Sequence, residues 1–220
     1  MTITLSHDDK IAVLDLGDDE NRFSPAFLDE INGRLDEVVG SAAHGLVTTA
    51  GGKFYSNGLD LDWLAAHGDQ TQIYVGRVQA LFARVLTLPV ATAAALPGHA
   101  FGAGAMLALA HDFRVMRADR GFFCFPEADI RIPFTPGMAA LIQAKLSPQA
   151  AVASMTTARR FGGADAQAIG IVDDTAPEGA VTVAAVELLR PLGGKDPGTL
   201  GAIKNTMFGP AVAALAATAV

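Results

Sequence analysis

The stretch Gly98-His99-Ala100-Phe101-Gly102-Ala103-Gly104-Ala105-Met106-Leu107 most restricts how this chain can fold. It lies between a predicted strand, Val90 to Leu96, and an apolar helical run that ends near Ala110. Residues this small let a backbone approach a ligand closely. The helix behind them aims free N–H groups at whatever binds in front of it, which suits an oxyanion. About twenty residues later comes Phe125-Pro126-Glu127, whose Glu is the best candidate acid/base in the chain.

Around this centre strands alternate with helices. Lys10 to Gly17 alternates in Ile, Val and Leu and predicts a strand ending in the turn Gly17-Asp18-Asp19-Glu20. Ser24-Pro25 opens a helix as N-cap and first helical residue, with Phe27, Ile31, Leu35 and Val38 on one face. His44 to Thr49 predicts a second strand, closed by the turn Gly51-Gly52-Lys53. Phe54 to Trp63 is irregular, then helical, and Thr71 to Leu86 is a long helix stopped by Pro89. Helix Ala103 to Ala110, strand Phe113 to Met116 and strand Gly121 to Phe125 follow. Pro133 and Pro136 frame a loop before a helix from Gly137 to Lys145. From Pro148 the chain is mainly helical, with a short strand expected at Ile169 to Asp173. The pattern is an α/β fold with a helical C-terminal part and no linker that splits it.

Composition narrows the function classes. In 220 residues, half are hydrophobic and 18% charged, which supports a substantial core in one domain. The net charge of −7 comes with no basic block, so nucleic acid is not expected as a partner. The single cysteine, Cys124, lies in an apolar strand run and reads as a buried thiol. The N-terminus has no cationic region backed by an apolar stretch, the tail Ala-Thr-Ala-Val is no targeting signal, and no apolar run spans a bilayer. A cytoplasmic protein that does not enter membranes is the expectation.

Two loops could hold a ligand: Lys53 to Leu61 and Gly98 to Met106, each following a strand. If both strands share one sheet, both loops emerge at its carboxyl edge, where α/β proteins bind ligands. One N–H from each could then clamp a carbonyl oxygen; the bland alternative is a pair of tight packing turns. Gly102-Ala103-Gly104 is no dinucleotide fingerprint, because the third glycine would fall at Leu107. Glu127 sits among Phe122, Phe123, Phe125, Ile130, Ile132 and Phe134, so an inward side chain would be desolvated and its pKa raised. Asp129, two residues on, could face the same side if the stretch is extended. His99 and His111 are isolated, and no His or Cys pair has metal-ligand spacing. Trp63 and Phe134 suit a core or a pocket wall.

These motifs resemble one family. Phe-x-Ser-x-Gly-x-Asp-Leu at Phe54 to Leu61, Gly-x-x-x-Gly-x-Gly-x-x-Leu-Ala from Gly98, Asp-Phe-Arg-Val from Asp112 and Phe-x-x-Pro-Glu ending at Glu127 are similar, in order and spacing, to the crotonase or enoyl-CoA hydratase/isomerase superfamily. The resemblance implies a spiral of β-β-α units over residues 1–190 and a C-terminal helical segment, 191–220, that packs homotrimers or dimers of trimers. It implies an acyl-CoA thioester as substrate and no separate cofactor or metal. Carried onto this chain, the oxyanion donors are the N–H groups of Leu59 and Ala103, and one family glutamate matches Glu127.

The second glutamate of the hydratases falls at Met106, which transfers no proton. Hydration normally uses both carboxylates, whereas moving a double bond needs one shuttle. The chain therefore looks most like the Δ3,Δ2-enoyl-CoA isomerase branch. Hydration or another acyl-CoA reaction, and a non-catalytic acyl-CoA-binding protein, remain the alternatives. Ser56, Asn57, Gly58, Gly104, Arg22 and Lys204 are the candidate substrate or CoA contacts, and Trp63, Met106 and Phe134 the candidate acyl pocket.

Overall fold

A strand–strand–helix unit recurs along the chain in the computed structural model, which describes residues 3–217. The tail residues Thr218 to Val220 and the first two residues lie outside the described part. Strand β1 (Thr4–Asp8) runs antiparallel to β2 (Ile11–Asp15). Strands β3 (Gly45–Thr49), β5 (Ala91–Leu96), β7 (Phe113–Arg117) and β9 (Asp174–Ala176) then add in parallel, giving the order β1-β2-β3-β5-β7-β9. Three of them lead into a second, smaller parallel sheet: β3 into β4 (Phe54–Ser56), β5 into β6 (His99–Phe101) and β7 into β8 (Phe123–Cys124). A helix leaves the small sheet each time.

The helices follow their sequence signals. In α1 (Pro25–Gly40) the Ser24 side chain accepts from the Phe27 N–H at 3.2 Å, and Phe27, Leu28, Ile31, Leu35 and Val38 are buried. The short α2 (Leu61–Ala66) leads to α3 (Thr71–Leu86), which buries Val78, Leu81, Phe82 and Val85. All eight residues of α4 (Ala103–Ala110) are buried. A helix apolar on every side belongs at the centre of a core, and α4 contacts α3, β5 and α6 (Pro136–Lys145). After α5 (Glu127–Ile130), the helices α7 (Pro148–Met155), α8 (Gly163–Ala168) and α9 (Val181–Leu189) complete the shell.

Several elements differ from the sequence reading, among them strand β4, which forms at Phe54–Ser56 where the chain was read as irregular. Strand β1 was not expected, because an exposed edge strand carries Ser and His rather than an apolar alternation. Strand β6 is three residues long and hides inside the small-residue stretch. The strand expected at Ile169 to Asp173 forms instead at Asp174–Ala176. Ile171 and Val172 are buried in a turn whose N–H groups donate to Ala166 O. Apolar content there reflects burial of a turn, not a ladder.

The last helix, α10 (Pro197–Ala216), lies along α3 and α6, with Phe208, Ala211 and Leu215 buried. Lys204 points into the same chain. Its Nζ donates to Asp112 Oδ2 at 2.6 Å and to Val90 O at 2.7 Å, and the residue is 4% exposed. Asp112 Oδ2 also accepts the Thr92 N–H at 2.8 Å. The expected role of Lys204 as a phosphate contact is therefore wrong: its donors are committed to a structural ion pair. Ile203 and Met207, on the other side of α10, stay 56% and 68% exposed.

Removing one partner of a buried pair leaves the other charge uncompensated. Lys204→Met is expected to lower the free energy of unfolding by about 3 kcal/mol. Adding Asp112→Asn should recover part of the loss, as read from urea denaturation midpoints at unchanged slope.

Candidate active site

The three strands of the small sheet are parallel, so their carboxyl ends lie side by side and deliver three segments to one place. Strand β4 delivers Asn57 to Leu59, β6 delivers Gly102 and Ala103, and β8 delivers Pro126 and Glu127. Together with Arg22, Leu61, Asp62, Phe101, Ile130 and Ile132 they line a cavity of about 390 Å³.

Two glycines make the convergence possible. Gly58 has φ +83°, and a Cβ there would lie 2.8 Å from Phe101 O and 3.0 Å from Ala103 N. The two loops are thus in backbone contact, with Leu59 beside the start of α4. Gly102 has φ +51°, and a Cβ there would reach Glu127 Oε1 at 3.4 Å. Any side chain at 102 would crowd the carboxylate, and neither dihedral is open to most L-residues.

Two backbone N–H groups at the cavity are left without an acceptor among the described residues. Ala103 opens α4, so its N–H has no acceptor within the helix. No backbone acceptor among the described residues takes the Leu59 N–H. The N-terminal end of α4 adds a positive partial charge at the same spot.

Glu127 is the first residue of α5 and is 9% exposed. Its Oε2 is buried without a hydrogen-bond partner. Burial raises its pKa to about 7, against a smaller opposing effect of its own backbone N–H. The carboxyl is thus poised to gain or lose a proton near neutrality. Asp129 is exposed and does not join it, contrary to expectation. The stretch is a helical turn, and residues two apart on a helix point to different sides. The cavity's other carboxylate, Asp62, is held by the Arg22 guanidinium at 2.6 Å, and Arg22 also pairs with Glu20.

The remaining candidates separate. Asn57 lines the cavity. Ser56 is fully buried; its hydroxyl donates to Asn21 O at 2.7 Å and accepts the Gly58 N–H at 3.1 Å, so it braces the loop. Gly104 is buried in α4, where a Cβ would meet Ser56 O at 2.4 Å. Neither Ser56 nor Gly104 lines the cavity.

Met106 is 1% exposed and belongs to the core rather than to the expected pocket wall. Trp63 also misses the cavity, its ring stacked on His67 at 4.4 Å. Phe134 lines an adjoining cavity together with Glu127 and Ile132.

His111 is a structural group. Burial drives its pKa down to about 4, and its ring nitrogens pair with Thr48 Oγ1 and Leu107 O at 3.0 and 2.9 Å. His99 accepts from the Phe122 N–H at 3.2 Å on the far side of the small sheet's strands from the site. Burial pushes the Cys124 thiol up to about 11, so no thiolate forms near neutrality. Leu61, Asp62 and Phe101 were missed as cavity residues. The sequence signal for them was only adjacency to the two loops. Among the described residues, no group of three or more His, Cys, Asp or Glu could hold a metal, and no helix is long and apolar enough to cross a membrane.

Known proteins share both sequence and fold. Residues 7–218 match the family described as enoyl-CoA hydratase/isomerase. The chain is 38% identical over 190 residues to enoyl-CoA delta isomerase 2, peroxisomal, of Arabidopsis thaliana, covering 81% of this chain and 79% of that protein. It is 36% identical over 163 residues to the carnitinyl-CoA dehydratase of Escherichia coli K12, covering 73% and 61%. The fold superposes on a probable enoyl-CoA hydratase of Mycobacterium tuberculosis with a TM-score of 0.92 at 26% identity, over 99% of this chain and 93% of that one.

A carboxyl with a raised pKa destabilises the fold once it ionises. The folded state binds the Glu127 proton more tightly than the unfolded chain, so stability is highest below the ordinary value of 4.5 and declines as pH rises through about 7. Glu127→Gln should therefore stabilise the protein by up to roughly 3 kcal/mol at pH 8 and by almost nothing at pH 4. Thermal denaturation at the two pH values checks this; a gain of equal size at both would mean the carboxyl is not desolvated.

Proposed function

The chain belongs to the enoyl-CoA hydratase/isomerase family, and we propose that it is an enoyl-CoA isomerase that moves a 3-enoyl-CoA double bond to the 2-position with Glu127 as the sole proton shuttle. The observation that carries this reading is the single free carboxyl of the cavity. Glu127 is buried, unpartnered and titrates near neutrality, while Asp62 is tied to Arg22. The delta isomerases of Arabidopsis among the relatives support the same reading.

In this mechanism the thioester oxygen accepts hydrogen bonds from the Leu59 and Ala103 N–H groups. The Glu127 carboxylate removes a proton from C2. The electron pair of that C–H bond forms C1=C2 as the carbonyl pair moves onto the oxygen, giving a dienolate conjugated with the existing C3=C4 bond. The same carboxyl returns the proton to C4, and the oxygen's charge collapses to leave the 2-enoyl thioester. Two preorganised donors lower the barrier, because each is worth roughly 3 kcal/mol when the charge develops. No cofactor is required, since the thioester itself makes the C2 proton acidic. Hydration would need a second acid or base beside the bound water, and the homologous position holds the buried Met106.

The finer assignments rest on the same reading. Asn57 and Arg22 stand at the cavity wall where the CoA portion would enter. The exposed Ile203 and Met207 of α10 favour assembly into a homotrimer or a dimer of trimers, with residues 191–220 supplying the contact. A cytoplasmic setting in fatty-acid metabolism suits the reduced Cys124.

Glu127→Gln should cut isomerisation of 3-hexenoyl-CoA by about 10²- to 10⁴-fold, with affinity for a saturated acyl-CoA within twofold of wild type. Wild-type kcat/KM should rise with pH through an apparent pKa near 7, because the free enzyme acts as the carboxylate. Crotonyl-CoA should be hydrated far more slowly than 3-hexenoyl-CoA is isomerised, with products identified by mass and retention. Hydration at a comparable rate would assign the chain to the hydratases instead.

A further inference from the structure

Strand β4 is an edge of the small sheet, and its pairing with β6 is irregular between Phe54 and Ser56. Buried carbonyls at such a place need donors from elsewhere. One side chain supplies them. Asn21 Nδ2 donates to Phe54 O at 3.2 Å, to Tyr55 O at 3.0 Å and to Gly17 O at 3.2 Å. The residues around Asn21 are laced to the same loop. Glu20 O accepts the Asn57 N–H at 2.8 Å, Asn21 O accepts the Ser56 hydroxyl at 2.7 Å, and the Phe23 N–H donates to Gly58 O at 2.9 Å. Residues 20–23 form no strand, yet they serve β4 and its loop as the neighbour that the sheet lacks on that side.

Asn21 holds this place at a cost. Its φ is +50°, a region that Asn tolerates better than most L-residues. It is fully buried, and its Oδ1 has no hydrogen-bond partner. Neither feature adds stability. Both accompany the one placement from which a single carboxamide reaches three carbonyls.

The lacing fixes the residue that follows it. Gly58 packs so close to α4 that a Cβ there would lie 2.8 Å from Phe101 O and 3.0 Å from Ala103 N. Leu59 comes next, so this contact sets its N–H relative to that of Ala103. Any shift of the β4 loop changes the separation of the two donors while α4 and Glu127 stay in place.

We infer, resting on the reading of Leu59 and Ala103 as the oxyanion donors of an enoyl-CoA isomerase, that Asn21 is a positioning residue whose carboxamide ties the β4 loop where both N–H groups reach one oxygen. Asn21 does not line the cavity; it acts through Phe54, Tyr55 and Ser56. Donors moved apart still admit a neutral thioester but hold its enolate less well. The loss therefore falls on kcat and not on affinity.

The test uses 3-oxohexanoyl-CoA, which gives up its C2 proton to form an enolate that absorbs in the near ultraviolet. Bound to wild type, it should ionise at lower pH than it does free in solution. Asn21→Gly keeps the positive φ and removes the carboxamide. It should raise the apparent pKa of the bound ligand by at least one unit and lower kcat for 3-hexenoyl-CoA at least tenfold. KM, and the Kd of hexanoyl-CoA, should stay within threefold of wild type. Ser56→Ala, which cuts the lacing at its other end, should move both readouts in the same direction if the first variant does not fold. An unchanged bound pKa in a folded variant, or a rise in KM with kcat unchanged, overturns the proposal and leaves Asn21 a role in stability alone. The ionisation readout is independent of turnover. A wild type that lowers the ligand's pKa without isomerising 3-hexenoyl-CoA defeats the isomerase reading and leaves the positioning role standing.

Discussion

The site depends on the parallel pairing of three very short strands. Each of β4, β6 and β8 spans two or three residues, yet their ladder brings backbone from three distant parts of the sequence to one cavity. Such a ladder would not survive in water by itself, since even a two-stranded hairpin is marginal there. It persists because Tyr55, Ala100 and Phe123 on it are fully buried against the core and because each strand continues directly from a strand of the large sheet. The geometry around Glu127 is therefore a property of the whole sheet pair. Register in the small sheet sets where the two N–H donors stand relative to the carboxyl.

The core is built around the same need. Helix α4 begins at the cavity, at Ala103, and is surrounded by protein for its full length. Its Ala and Gly content lets Ser56 and Gly58 lie against it at backbone distance. Larger side chains would separate the β4 loop from Ala103 and spread the donors. Catalytic geometry, in this view, is what keeps the helix small-residued, and the bulky residues of the core are supplied by α1 and α3 instead. Against this stands the cost of an unpartnered Glu127. Its Oε2 gains no hydrogen bond from the protein, and burial disfavours the charged form. A partnered carboxylate would be more stable and would hold its proton too weakly to return it.

Much of this was legible in the residues. Helical spacing and caps predicted α1 and α3 to within a residue or two, because each has an apolar period, and α4 was read from its uniformly apolar run after Gly102. The three motifs singled out Leu59, Ala103 and Glu127, which line one cavity, and the positive φ of Gly58 and Gly102 is what the backbone there demands. Side-chain direction was the part that residue type could not reveal. Lys204 looked like a solvated cation and lies in the core, because its partner Asp112 is distant in sequence. Asp129 depended on whether four residues are extended or helical, and a single turn of α5 decided it. Met106 fell in register with a family acid and was expected at the pocket, whereas α4 carries it into the core.

Met106 and Asp62 together explain why one carboxyl remains available. Two positions, one on α4 and one on α2, stand out in the sequence for a second acid. On α4 the position is occupied by a buried thioether, which neither takes nor gives a proton. On α2 the acid is present, but it is 88% exposed and bound to Arg22, which stays protonated at any working pH. The Arg22 clasp therefore closes one wall of the cavity and occupies the carboxylate of Asp62 there. Such a site suits the reaction proposed above, which takes and returns the same proton.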